Sequence, residues 1–200
     1  MATKDRSAEI LSPVSDGYLT GQLLVATPQI QSSCFHRSVI YLATHTEEGA
    51  MGFIINQPLE RFTINKVLGH FGMEAVASDG AEAPVYFGGP VDTSRGYVLH
   101  STEYHGIGTA QMSHQLALTS NLDVLKDIAF GRGPAQKLLV LGYAGWGAGQ
   151  LEAELEANNW ITVPATPELL FGQQNIDKWM LSNRSLGIDP YRISDIAGHA

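Results

Sequence analysis

The residues of this chain that invite chemistry gather in four places. In Cys34-Phe35-His36-Arg37-Ser38 a thiol, an imidazole, a guanidinium and a hydroxyl stand side by side, the parts of a nucleophile and its base. On an extended chain Cys34 and His36 share a face, so a thiol–imidazole contact is open to them. The plainer reading is a small, partly buried cysteine. The second place is Gly88-Gly89-Pro90 followed by Asp92-Thr93-Ser94-Arg95. Turn residues dominate it, and it reads either as a connection between strands or as an anion site built from Arg95 and the glycine amides.

The histidines are the third group, at 36, 45, 70, 100, 105, 114 and 199. None shows the H-x-x-x-H or H-E-x-x-H spacing of a metal helix, so no metal site is expected. His45 and His100 remain candidates for general acid–base work. No G-x-S-x-G nucleophile elbow is present.

The fourth place is Leu139 to Trp160, LVLGYAGWGAGQLEAELEANNW. An apolar run enters a glycine segment and a helical pattern leaves it, the order in which many proteins hold a phosphate. A Walker loop needs Gly-Lys-Ser/Thr, which is absent here. The dinucleotide pattern G-x-G-x-x-G fails at Gln150 when begun from Gly145, and at Glu152 when begun from Gly147. Glu152 and Glu154 would also repel a phosphate at the helix start. The preferred reading is packing, with glycines that let Trp146 and a tight turn lie against another backbone.

Elements must position these residues. Strand-like segments run over Tyr18–Thr27, Arg37–Thr44, Ala50–Asn56, Pro84–Phe87, Gly96–Ser101 and Gln111–Leu118, each short, rich in Val, Ile, Leu, Tyr or Thr and bounded by turn residues. Helices are expected over Ile64–Leu68 behind a Thr63 cap, over Asn121–Phe130 behind Thr119 or Ser120, after the glycine segment, and near Ile176, Trp179 and Met180, with Gly187 as the stop. Strand runs broken by single helices argue for an α+β fold with a mixed sheet in one compact unit. VIYLATHTEEGAMGF and LLVLGYAGWGAGQL echo one another faintly, as two related halves would.

Bulk properties narrow the function. The chain has 200 residues, a net charge of −8 and one cysteine. Its basic residues, among them Arg37, Arg61, Arg95, Lys126, Arg132 and Lys137, are scattered, which argues against direct DNA binding through a basic face. A lone cysteine, no apolar leader and no apolar run of about 20 residues point to a cytoplasmic protein that does not cross a membrane. Only 16% of residues are charged, against roughly 25% in soluble domains. That leaves room for a partner or for a homo-oligomer.

The stretches GQLLVATPQIQSSCFHRSVIYLATH, GAMGFIINQP, VYFGGPVDTSRGYVLHS, LTSNLDVLKDIAFGRGP, LGYAGWGAGQLEAELEANNW and LGIDPYRISDIAGHA run in this order from about Gly17 to Ala200. Together they resemble the YqgE/AlgH family of bacterial proteins. The resemblance implies a small cytoplasmic protein without an established enzymatic activity. Residues 1–16 are polar, carry charges of both signs and lack period, and read as a flexible tail ahead of a single domain over 17–200. For that domain the resemblance implies an α+β fold of coiled, bifurcated mixed sheets with flanking helices and two similar subdomains. The AlgH name comes from a proposed role in regulating alginate synthesis. No transcription-factor motif is visible in the sequence, so an effect on genes would be indirect or run through another protein. The chain departs from the pattern at Ser32-Ser33, where many members carry Asp-Pro, and at Ala43-Thr44, where many carry Cys-Glu. The departure removes a second thiol and an acidic sequence neighbour for His45.

Polar or glycine positions that match the family pattern are the site candidates: Arg37, Ser38, Asn56, Gly88, Gly89, Arg95 and Gln150 for ligand binding, and His45, His100 and Cys34 for catalysis. With no complete catalytic constellation and no cofactor signature, the expected function is a binding or regulatory protein acting through a small ligand or a protein partner. The alternative is a hydrolase or group transferase in which Arg37 or Arg95 holds an anion and His45 or His100 moves a proton.

Overall fold

The computed structural model describes residues 18–73, 82–172 and 178–188. The expected tail over 1–16, Ile176 and most of the closing stretch lie outside the described residues. In chain order the elements are β1 (Gln22–Ala26), β2 (Val39–Thr46), β3 (Gly49–Ile54), β4 (Pro58–Thr63), α1 (Ile64–His70), β5 (Pro84–Phe87), β6 (Val91–His100), β7 (Thr109–Gln111), β8 (Ala117–Thr119), α2 (Asp123–Ala129), β9 (Lys137–Gly147), α3 (Gln150–Glu156), β10 (Trp160–Pro164), α4 (Pro167–Phe171) and α5 (Lys178–Ser185). No helix among the described residues is long and apolar enough to cross a membrane.

Ten strands join in the order β10-β1-β2-β3-β9-β6-β8-β7, with β5 also on β9 and β4 on β5. The arrangement is α+β, a mixed and mostly antiparallel sheet with flanking helices in one domain. It forks at β9. The first half of β9 pairs parallel with β5, Val85 to Phe87 facing Leu139 to Leu141. The second half, Ala144 to Gly147, pairs antiparallel with β3. The opposite edge carries β6. Thus β5 and β3 meet end to end along β9, where the Ile54 amide donates to the Gly88 carbonyl at 2.9 Å and the Gly88 amide to the Leu141 carbonyl at 2.8 Å.

The fork requires backbone to lie on backbone. A Cβ at Gly88 would stand 2.3 Å from the Gly142 carbonyl oxygen, and one at Gly89 would stand 2.1 Å from the Tyr143 carbonyl carbon. Gly142 bends β9 there through a left-handed φ of +73°. On the other edge β6 slips register between Val91 and Gly96, and the extra residues form an exposed bulge, with Asp92 at φ 47°.

Burial follows from this geometry. The run Val39-Ile40-Tyr41-Leu42-Ala43 is apolar throughout because both faces of β2 are covered. Val39, Tyr41 and Phe53 share the inner face with Tyr86, Tyr97, Leu99 and Val140 from beyond the fork, and Leu170 of α4 and Trp179 of α5 pack there. The outer face of the β10-β1-β2-β3 arm gathers Leu24, Ile40, Leu42 and Trp146 under Leu151 of α3. The outer face of the other arm buries Val85, Val98 and Leu139 under α1 and α2. One inner cluster therefore spans both arms, and each arm has its own outer helices.

Four expectations change. The glycine segment 142–147 is strand and not loop, since pairing with β3 continues to Gly147. The strand expected over Gln111–Leu118 is a tight hairpin of two three-residue strands, β7 and β8. Residues 33–37 form a turn, and β2 starts only at Val39. The N-cap of α2 is Leu122, not Thr119 or Ser120, and just ahead of it the Asn121 side chain accepts from the Asp123 amide at 2.9 Å.

Gly89→Ala should cost on the order of 3 kcal/mol in chemical denaturation, because the clash is with the β9 backbone at Tyr143 and Ala144. Gly147→Ala, where an added Cβ meets nothing within 4 Å, should change stability by no more than about 0.5 kcal/mol.

Candidate functional site

The turn before β2 is held from outside by two neighbouring side chains. The Phe35 and His36 amides both donate to the Ser32 carbonyl, at 3.1 and 2.8 Å. Asn56 accepts from the Val39 amide at 2.8 Å and donates to the Arg37 carbonyl at 2.9 Å. Gln57 donates to the Cys34 carbonyl at 3.0 Å. Within this frame Arg37 sits at φ 52°, a left-handed conformation uncommon outside glycine. Its guanidinium lies 5.1 Å from the ring centroid of Trp179, and the Trp179 indole is anchored to the Ala26 carbonyl at 2.7 Å. Arg37 is exposed, so a rigid scaffold presents it to solvent.

A turn places Cys34 and His36 differently from a strand. The thiol lies 3.4 Å from the Ser32 hydroxyl, while the imidazole of His36 lies 3.3 Å from the Ile30 carbonyl. Ser38 is fully buried, and its hydroxyl has no hydrogen-bond partner among the described residues.

Both candidate acid–base histidines are buried and have their ring nitrogens occupied. The Leu19 amide donates to Nδ1 of His45 at 3.0 Å. An amide can only donate, so the ring proton sits on Nε2, which bonds Glu152 at 2.9 Å. The acidic partner missing beside His45 in sequence thus comes from α3. Its own amide and the imidazole hold the Glu152 carboxyl below the usual carboxylate range. The arrangement ties α3 and the segment before β1 to β2.

His100 is inverted. Its Nδ1 donates to the Ser101 carbonyl at 2.8 Å, and Nε2 accepts from Thr119 at 2.9 Å, whose oxygen lies 2.7 Å from Thr109. Burial pushes the imidazole toward its neutral form. These bonds lock the β6-β8-β7 end of the sheet.

The glycine-rich segment resolves into a fastened helix. Glu154 accepts from the Trp146 indole at 3.0 Å and from the Trp160 indole at 2.7 Å through the same oxygen. Its other oxygen accepts from Gln150 at 2.9 Å, and Gln150 accepts from the Gly147 amide at 3.1 Å. The two indoles meet edge to face at 6.1 Å. Gln150 is therefore part of the fastening between β9 and α3.

Gly88 and Gly89 lie at the fork, and the Gly88 amide is committed to Leu141. Arg95 stands on the β6 bulge with its guanidinium 5.4 Å from the Tyr97 ring. The candidates thus separate into the turn (Cys34, Arg37, Ser38, Asn56), the fork and its bulge (Gly88, Gly89, Arg95), the α3 fastening (His45, Gln150) and the hairpin lock (His100). No group of three His, Cys, Asp or Glu among the described residues could hold a metal.

Sequence reasoning missed Lys178. It is buried, donates to the Leu170 carbonyl at 2.6 Å and the Ile55 carbonyl at 3.3 Å, and burial pushes its amine down to about 8. Its one sequence signal was a lysine directly before the core tryptophan of an expected helix.

The AlgH-like family model matches residues 23–191. A UPF0301 protein of Rhodospirillum rubrum is 47% identical over 185 residues, 92% of this chain and 96% of that protein. One from a Bradyrhizobium species is 48% identical over 191 residues, 92% of this chain and 88% of its own length. The solution structure of the AlgH protein from Pseudomonas aeruginosa is similar with a TM-score of 0.74 and 38% identity, covering 95% of this chain and all of that one. A crystal structure from Corynebacterium diphtheriae, at 23% identity and a TM-score of 0.65 over 82% of this chain and 85% of that one, shares the fold.

Glu154→Ala strands two buried indole donors. It should cost about 2–4 kcal/mol in denaturant unfolding and shift tryptophan fluorescence. Glu156→Ala, at the exposed end of the same helix, should stay within about 0.5 kcal/mol.

Proposed function

The chain belongs to the AlgH-like family, and we propose that it is a non-enzymatic binding protein that recognises a protein partner through the turn carrying Arg37. The observation that supports this most is the frame made by Asn56 and Gln57. Three side-chain bonds to backbone hold an exposed, left-handed Arg37 in place before any partner arrives. Ordering a loop in advance lowers the entropy cost of binding. An arginine backed by an aromatic ring is a common anchor at protein interfaces, and its planar fork suits a carboxylate of the partner. Arg95, on its own exposed bulge, is a second contact of the same kind.

The hydrolase or transferase alternative draws less support. Its two acid–base residues are buried, and their ring nitrogens serve the fold. A lone thiol suits the cytoplasm, and a regulatory effect on genes would run through the bound partner.

Affinity capture on immobilised protein, from a lysate of the source cells, tests the reading. Arg37→Ala should keep its circular dichroism and thermal midpoint and lose capture of the specific partner by tenfold or more. Capture at the wild-type level by the folded variant would remove Arg37 from the account. Turnover of phosphoester, thioester or acyl ester substrates that disappears in His45→Gln would favour the enzymatic alternative.

A further inference from the structure

The described sheet ends in three open edges, and they are unequally guarded. Natural sheets protect an edge with proline, charge, bulges or short strands, because an open row of amides and carbonyls templates further pairing. The β4 edge has Pro58, Glu60 and Arg61, the last at φ 57°, and a register break. The β10 edge ends in Pro164. The β7 edge is short, but it has neither proline nor charge. From Tyr104 to Leu122 the sequence has no Asp, Glu, Lys or Arg, in a chain of net charge −8.

Pairing geometry says which groups point outward. The Met112 amide donates to the Leu116 carbonyl at 2.9 Å, so Met112 and Leu116 form a hydrogen-bonded pair. Antiparallel pairs alternate, which makes Ala110–Leu118 the next such pair and turns the main-chain groups of Gln111 away from β8. Two large apolar side chains stand at the same end of this hairpin. Ile107 is 74% exposed and Leu122 53% exposed, and Gly108 packs on Asn121, which draws the two together.

We propose that this edge is a self-association surface. A second copy of the chain pairs β7 to β7 about a two-fold axis, and Ile107 and Leu122 of both copies close over the ends of the joined strands. Like charge decides the occupant. Two copies of an acidic protein repel wherever their carboxylates meet, and a stretch without formal charges lets them approach. The Thr109 amide is taken by the Gly106 carbonyl at 3.2 Å, and an isologous contact matches the outward Gln111 amide with its symmetry mate's carbonyl. The dimer is independent of the Arg37 turn, so either idea can fail alone.

Sedimentation velocity of the full chain over a hundredfold concentration range is the test. Wild type should show a monomer–dimer equilibrium. Ile107→Lys puts a charge at the contact without touching the ladder and should weaken the dimer at least tenfold. Gln111→Pro removes one outward amide, at an edge position where proline is tolerated, and should act in the same direction. Leu181→Lys, at an exposed apolar residue of α5, should leave the dimer unchanged. A wild-type monomer at every concentration would overturn the proposal, and so would a dimer as tight in Ile107→Lys as in wild type.

Discussion

One strand that must serve two partners along the same edge sets the terms for everything else. β9 hands its edge from β5 to β3 between Leu141 and Ala144, across Gly142 and Tyr143. At that step three backbone segments converge, and side chains on Gly88, Gly89 or Gly142 would collide with main chain. The fork is thus a steric demand met by absent side chains and one left-handed bend. Because β9 belongs to both arms, the inner apolar cluster runs unbroken from Leu23 through Phe53 to Tyr97 and Leu99. Opening either arm would expose that shared face and strip β9 of a neighbour, so the arms are coupled by backbone pairing and by burial together.

The helix that follows β9 seals the outer face of one arm, and its acids explain how. Glu154 satisfies two indole donors that would otherwise be buried unpaired, and Glu152 does the same for the His45 ring. Hydrogen bonds to a carboxylate are stronger than neutral ones. Removing such an acceptor costs more than the bond itself, because its donors stay buried. A helix as short as α3 would not hold by itself, so these contacts are what keep it against Trp146 and Trp160. The same pattern holds for His45 and His100, whose two ring nitrogens are each engaged within the fold.

Much of this was legible from residue types alone. The strand expected over Arg37–Thr44 contains most of β2, and Pro84–Phe87 matched its strand end for end. The resemblance to AlgH-like proteins named the fork before its geometry was known. Glu152 and Glu154 were read only as acids unfavourable to a phosphate, and their partners were invisible. Glu152 meets a histidine 107 positions away, and nothing local in sequence encodes such a contact. The glycines at 142, 145 and 147 suggested a loop because glycine usually weakens strands; Gly142 serves the close approach of backbone at the fork, while 145 and 147 simply continue the strand. Cys34 and His36 would share a face only on an extended chain, whereas Asn56 and Gln57 hold the segment as a turn. Lys178 was overlooked because lysine is rarely buried, and only the tertiary carbonyls of Ile55 and Leu170 make its position tolerable.

The central claim is that β9 makes the two arms one cooperative unit. Native-state hydrogen exchange read strand by strand tests it most directly. Amides of β9 from Leu139 to Ala144 should exchange only through global unfolding. The slowest amides of β2 and β6, one in each arm, should then report the same opening free energy and the same denaturant dependence. Two distinct opening energies, with one arm exchanging while the other and its half of β9 stay protected, would contradict the account.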